Sequence, residues 1–316
     1  MRAAGAMSAH AEKAVLAPVL DQLKATCDFG PVTQNLAELP DVDLLVTGWG
    51  CPPITAQALE HLPSLKAIVH TAGSVKGFVT DACWDRGIVV SSAASANALP
   101  VAEYTLAMIL LSGKRVLERA RDYQAVKQID YYDLPPTVGN YGATVGILSA
   151  SMIGRRVIEL LRPFDFHVLV HDPFVTEVDG AESVSLQELF ARSDVVSVHT
   201  PLLPETRGLV SGELLKRLRD DAMLINTARG AVIDQEALVR EIGRIRAVLD
   251  VTDPEVLPPE HPLWRSENVL ITPHLAGSQG NEWGRLAHHA LAEVRRWVAG
   301  EPFATPVPAE RRERIA

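Results

Sequence analysis

Three stretches of this chain each place a chemically competent side chain just past a short apolar run. Met223-Leu224-Ile225 leads into Asn226-Thr227-Ala228-Arg229-Gly230. Ala247-Val248-Leu249 leads into Asp250-Val251-Thr252-Asp253-Pro254-Glu255, and Val269-Leu270-Ile271 into Thr272-Pro273-His274-Leu275-Ala276-Gly277. A guanidinium is a planar, permanently charged fork suited to a carboxylate. An imidazole titrates near neutral pH and can move a proton, and a carboxylate beside it can orient the ring. Arg229, Glu255 and His274 thus form a candidate anion binder and acid–base pair. Each alone has an ordinary reading: a surface ion-pair arginine, a solvated loop glutamate, one of ten histidines. Their shared placement singles them out, because parallel sheets bind ligands beyond the carboxyl ends of their strands.

The element that has to position them is an apolar run at 143–148, a small-residue turn Ser149-Ala150-Ser151, and a helical pattern from Ile153 to Leu161. Strand, tight turn and helix open a dinucleotide-binding fold, in which the helix N-terminus can hold a pyrophosphate. The usual fingerprint is G-x-G-x-x-G. Here it reads S-x-S-x-x-G, with Gly154 the one glycine retained. Serine brings a Cβ where the backbone approaches phosphate, and its hydroxyl is an alternative phosphate donor. A second run, Val168 to His171, ends in Asp172, near the offset at which an acidic side chain binds ribose hydroxyls. An aspartate there repels a 2′-phosphate and favours NAD over NADP. The competing reading is an ordinary βαβ unit without a ligand.

Further βα units follow. Ser185 and Glu188 have capping-box spacing. Strands are expected at 195–198, 223–225, 247–249 and 269–271, and helices at 213–218, 234–242 and 283–298. The first hundred residues read as a small parallel α/β domain, with a helical stripe over 11–26 and strands at 43–47, 65–70 and 87–91. Its first strand, near Arg2 to Met7, is mostly alanine and glycine and is either poor or absent. The longest helical pattern runs over 100–121, with Pro100 suited to a first turn. A loop with Pro135, Pro136, Gly139 and Gly142 leads into the dinucleotide unit.

A length of 316 residues suggests about two domains, and 47% hydrophobic residues can fill two cores. The net charge of −9 argues against a nucleic-acid surface. Three cysteines without a C-x-x-C pair argue against a disulfide framework. No apolar run approaches the roughly 18 residues of a membrane span. Met1 to His10 lacks the features of a signal peptide. A cytoplasmic protein is expected.

The chain resembles the D-isomer-specific 2-hydroxyacid dehydrogenase family. The resemblance rests on Asn97-Ala98-Leu99-Pro100-Val101-Ala102-Glu103, the 145–154 unit, His199-Thr200-Pro201-Leu202 with Glu205-Thr206-Arg207-Gly208, Asn226 to Gly230, Leu249 to Glu255, His261-Pro262-Leu263-Trp264 and Thr272 to Gly277. It implies a Rossmann-type doubly wound parallel sheet at 99–285 that binds NAD. It also implies a smaller flavodoxin-like α/β substrate domain built from 1–98 and 286–316. The implied activity is NAD-dependent interconversion of a small 2-oxo acid and its D-2-hydroxy acid. Arg229 would hold the substrate carboxylate, His274 would be the acid and base, and Glu255 would fix its tautomer. Backbone N–H groups at Gly73 and Ser74 would share the carboxylate. Ser151, Met152, Ile153 and Asp172 would meet the pyrophosphate and ribose. Thr105, Thr200, Pro201, Thr206, Thr227, Ala228, Asp250 and Gly277, with Arg229 and His274, would line the rest of the NAD site. No metal is implied. A homodimer through the long helix from Pro100 is implied as well. Rival readings on the same fold are a phosphite-type dehydrogenase and a dinucleotide-sensing binding protein of the co-repressor type. Trp49 either walls the substrate pocket or belongs to the core.

Overall fold

The computed structural model describes residues 1–128 and 138–309; Pro135 and Pro136 lie outside the described residues. The chain divides into two compact units, Met1–Asn97 with Ser278–Ala316, and Ala98–Gly277. The return to the first unit falls at Ser278 rather than at residue 286. Ser278 N donates to Asn97 Oδ1 at 2.9 Å, and Trp283 stands edge-on to Trp49 and His10, ring centres 6.4 and 6.0 Å away. Trp49 itself is 41% exposed, so it is not a core residue.

The first unit holds β1 (Arg2–Ala6), β2 (Asp28–Thr33), β3 (Leu44–Thr47), β4 (Ala67–His70) and β5 (Val89–Ser92). All neighbours are parallel, in the order β2-β1-β3-β4-β5, which is the flavodoxin-like order. The alanine-rich first strand is formed. Its small side chains suit a strand covered on both faces: Ala3 packs with Leu23 and Leu291 on one side, Ala4 and Ala6 with Ile54 and Ile68 on the other. Strand β2, for which the sequence pattern gave no expectation, contains Gly30 and Pro31. As an edge strand bonded only to β1 it tolerates a proline. The 11–26 stripe is helical but broken into α, π, 3₁₀ and α pieces ending at Leu20–Thr26. Pro18 has no N–H to continue the ladder.

The second unit holds β6 (Thr144–Leu148), β7 (His167–His171), β8 (Glu182–Ser183), β9 (Val195–Val198), β10 (Met223–Asn226), β11 (Arg246–Leu249) and β12 (Val269–Ile271). The parallel sheet runs β12-β11-β10-β9-β6-β7-β8. Chain order reverses between β6 and β9, the switch point at which such sheets bind ligands. Continuous apolar strands are covered on both faces, Leu148, Val196, Leu224 and Leu249 on one, Ile147, Val195, Ile225 and Val248 on the other. The Ser185–Glu188 capping box is present.

The longest helical pattern is displaced. It resolves into Ala94–Gly113 and Val116–Val126, separated at Arg115, which takes a left-handed φ of 49°. Pro100 therefore lies inside the first helix rather than in its first turn. The helix starts early because Ser92 Oγ accepts from Ala94 N and Ala93 O accepts from Asn97 N. Among the described residues, Ala94–Gly113 is the one helix long and apolar enough by length and composition to cross a membrane, contrary to the expectation of no such run. Its buried Ala102 and Ile109 belong to the core of the second unit with Val145, Ile147 and Val157.

Each unit buries a histidine at or just after a strand end, His70 at β4 and His199 after β9. Burial pushes both imidazoles down to about 3. Thr47 Oγ1 lies 3.0 Å from His70 Nδ1, and Ser197 Oγ 2.9 Å from His199 Nε2. An unfolded histidine titrates near 6.5. Above that pH both states are neutral and the full stability is present. Below it the unfolded chain takes up protons that the folded chain refuses until about pH 3, so stability is lost as pH falls through this window. Each histidine contributes a slope of about 1.4 kcal/mol per pH unit. The urea midpoint is expected to fall between about pH 6.5 and pH 5, and less steeply in His70→Gln. An unchanged slope in that variant would show that His70 does not govern this loss.

Candidate active site

The second unit carries Arg229, Glu255 and His274 on the loops beyond β10, β11 and β12, with the charge of Glu255 acting on a largely buried Arg229 and Glu255 in contact with His274. Asn226 closes β10 and brackets the turn that carries Arg229: its Nδ2 donates to Arg229 O at 2.9 Å, and its Oδ1 accepts from Ala228 N at 3.0 Å. An asparagine at a strand end makes such a turn because its side chain mimics backbone. One guanidinium nitrogen of Arg229 donates to Ala228 O at 2.7 Å, fixing one edge of the fork. Burial pushes Arg229 below its ordinary value, while the nearby charge of Glu255 acts in the opposite direction. Arginine stays charged through such shifts.

Glu255 is brought near by a close backbone crossing. A Cβ on Gly230 would sit 2.0 Å from Thr252 C and 2.2 Å from Thr252 O. Only a glycine lets the loop after β11 pass over the loop after β10. Thr252 Oγ1 is 2.8 Å from Pro254 O and 2.9 Å from Glu255 O, which folds the loop back on itself. Neither Asn226 nor Gly230 stood out in the sequence as a site former. The available signal was an Asn and a Gly flanking a strand-end arginine.

His274 lies across from Glu255, with Nδ1 2.6 Å from Glu255 Oε1. Both side chains are about half exposed, at 51% and 55%. His274 holds a left-handed φ of 51°. Asp250 maintains that turn. Its Oδ1 accepts from Thr272 Oγ1 at 2.6 Å and Leu275 N at 2.8 Å, its Oδ2 from Ala276 N at 2.9 Å, and its carbonyl from His274 N at 3.0 Å. Asp250, expected along a cofactor site, is buried and turns its carboxylate to the histidine loop. Tyr104 adds a bond from the long helix, its hydroxyl 2.9 Å from Thr272 Oγ1. In the first unit, Gly73 and Ser74 follow β4, and Ser74 Oγ accepts from Lys76 N at 3.4 Å.

The residues around the β6–β9 switch point fit a dinucleotide. Ser151 caps the helix Met152–Leu161 by accepting from Gly154 N at 3.3 Å. The first N–H groups of a helix have no partner within it, so Met152 and Ile153 can offer theirs to a pyrophosphate. Gly154 is required there, since its Cβ would lie 2.1 Å from Ser149 O. Thr105 and Thr227 are buried with hydroxyls 3.4 Å apart. Thr200 Oγ1 reaches Leu148 O at 3.5 Å, joining the ends of β6 and β9. Thr206 Oγ1 donates to Pro201 O at 2.6 Å and accepts from Leu203 N, holding the loop after β9. Ala228 and Gly277 are partly buried at the loop ends. Among the described residues no group of side chains could hold a metal ion.

Fold and switch point define a doubly wound dinucleotide-binding protein with a second, flavodoxin-like unit. Residues 106–276 match the family model "D-isomer specific 2-hydroxyacid dehydrogenase, NAD binding domain", and the chain belongs to that family. It is 34% identical over 308 residues to a glyoxylate reductase of Thermofilum pendens, covering 90% of this chain and 89% of that one. It is 30% identical over 299 residues to a D-3-phosphoglycerate dehydrogenase of Mycobacterium leprae, covering 92% of this chain and 56% of that one. The chain thus spans about half the length of the phosphoglycerate dehydrogenases it matches. Among solved structures, the TT0316 protein of Thermus thermophilus aligns with a TM-score of 0.79 and 29% identity, covering 98% of this chain and all of that one. A D-isomer specific 2-hydroxyacid dehydrogenase of Xanthobacter autotrophicus, in complex with NADPH and MES, aligns with a TM-score of 0.80 and 25% identity, covering 98% and 99%.

Proposed function

We propose that this chain reduces a small 2-oxo acid to its D-2-hydroxy acid, and runs the reverse oxidation, with NADH preferred over NADPH. The observation that carries the reading is the 2.6 Å contact between His274 Nδ1 and Glu255 Oε1, formed beside the half-buried Arg229. When bound, the nicotinamide supplies or accepts the hydride. Arg229 binds the substrate carboxylate and the carbonyl oxygen, because its fork offers several N–H donors in one plane. Glu255 accepts from Nδ1–H, which fixes the ring orientation and leaves Nε2 to serve the substrate. His274 then gives its Nε2 proton to the carbonyl oxygen in reduction and takes it back in oxidation. Met152 and Ile153 hold the pyrophosphate and Asp172 the adenosine ribose.

The test is NADH oxidation followed by nicotinamide absorbance against 2-oxo acids running from glyoxylate to phenylpyruvate, with NADPH in parallel. Turnover with one or more of them, faster with NADH, is expected. NADH binding with no turnover across the panel would favour a dinucleotide sensor instead.

A further inference from the structure

The turn after β6 departs from the fingerprint at Ser149, and the structure shows where that serine is engaged. Ser149 holds a left-handed φ of 83°, a conformation that L side chains rarely adopt. Its hydroxyl points at neither the helix N-terminus nor the cap. It donates to Asp172 Oδ2 at 3.1 Å, across 23 residues of sequence. Ala150 N donates to the same oxygen at 2.9 Å, and Phe174 N donates to Oδ1 at 2.9 Å. Ala150 is held from its other side, since Arg155 Nε donates to its carbonyl at 2.9 Å. The β6 and β7 ends are also joined by Ser149 N donating to His171 O at 2.8 Å.

We infer that Ser149 is a positioning residue for cofactor discrimination: its hydroxyl holds the Asp172 carboxylate in the orientation that accepts a ribose diol and repels a 2′-phosphate. The inference rests on the proposed reading of Asp172 as the ribose binder. A carboxylate offers about four acceptor directions. Two donors occupy Oδ2 and one occupies Oδ1, so the direction left is on Oδ1, where it accepts from one hydroxyl of the ribose diol and is fixed. Glycine at position 149 would adopt the same backbone without cost but would leave Oδ2 with Ala150 N alone. The carboxylate would then be held only by Ala150 N on Oδ2 and Phe174 N on Oδ1, and would turn more readily about its last side-chain torsion. A turned carboxylate accepts a diol less well and stands further from a 2′-phosphate. Serine at a left-handed position is disfavoured by its Cβ, and the charge-assisted bond to Asp172 is the compensating interaction.

The test measures dissociation constants of NADH and NADPH by nicotinamide fluorescence on the full chain, with turnover alongside. The variants are Ser149→Gly, Ser149→Ala and, as a reference, Asp172→Ala. Both Ser149 variants lose the hydroxyl, but only glycine relieves the backbone, so the melting temperature should rise in Ser149→Gly and fall in Ser149→Ala. The ratio of the NADPH to the NADH constant should nevertheless fall about tenfold in both, the worth of one hydrogen bond to a charged group. An unchanged ratio in both overturns the inference, and so does a ratio that follows the melting temperature, which would assign the effect to backbone strain. An unchanged ratio in Asp172→Ala would remove the ribose reading of Asp172 and the inference with it. Failure of the unsubstituted chain to bind NADH would overturn the proposed function itself, a result the variants cannot imitate.

Discussion

Replacing His274 by asparagine is expected to lower kcat by about 10²–10⁴-fold, the usual contribution of a positioned general acid. Asparagine is the informative substitution because His274 holds a left-handed backbone that asparagine tolerates and alanine resists. The loop should survive, since Asp250 holds it through backbone donors at 275 and 276 and the Thr272 hydroxyl, none of which involves the imidazole. NADH affinity should therefore change little, and the loss should appear in kcat on the best substrate of the panel. A kcat within about twofold of the parent would remove His274 from the chemistry. Glu255→Gln should give a smaller loss, because glutamine can still accept from Nδ1–H while the negative charge beside the ring is gone.

Gly230→Ala is expected to lower the rate on the order of 10²-fold without touching any reacting group. Its Cβ would overlap the Thr252 backbone, 2.0 Å from the carbonyl carbon, against chain that cannot step aside as a flexible side-chain end would. Either the loop after β10 or the loop after β11 must move. In both cases Arg229 separates from Glu255 and His274. A displacement of about 1 Å at a catalytic group costs on the order of 10²-fold in rate, and overpacking adds about 1–3 kcal/mol of destabilisation. Gly243→Ala is the control, since nothing lies within 4 Å of its added methyl. Parent-like kcat/KM in Gly230→Ala, with the control also unaffected, would show that the loop crossing does not hold the three residues together.

Much of this arrangement was legible from local pattern. Parallel strands buried on both faces read as unbroken apolar runs, so β9 and β12 were placed at their observed bounds and β6, β7, β10 and β11 within a residue or so. The Ser185 capping box and the Trp283–Val298 helix were equally plain, because caps and helical periodicity are properties of a few neighbouring residues. The elements that escaped are those whose state depends on what surrounds them. Arg2–Ala6 has no hydrophobic bulk of its own and becomes a strand because helices close over both its faces. Asp28–Thr33 contains Pro31 and survives as a strand because it lies at an edge. Residues 94–99 join the long helix although Pro100 suggested a start, because the preceding turn already caps it.

The candidate site divides along the same line. Residue order alone dictates the types of group, Arg229, Glu255 and His274, and their placement past strand ends, because parallel β/α alternation carries every such loop to one edge of the sheet. Which of these groups meet is settled by the packing of the folded chain. It sets the 2.6 Å contact of His274 with Glu255, the loop crossing that Gly230 permits, and the turning of Asp250 inward as a clamp. It also turns the Ser149 hydroxyl to Asp172 rather than toward a phosphate. Those outcomes depend on distances between loops 19 to 25 residues apart in the chain, and local propensity acts over only a few neighbours.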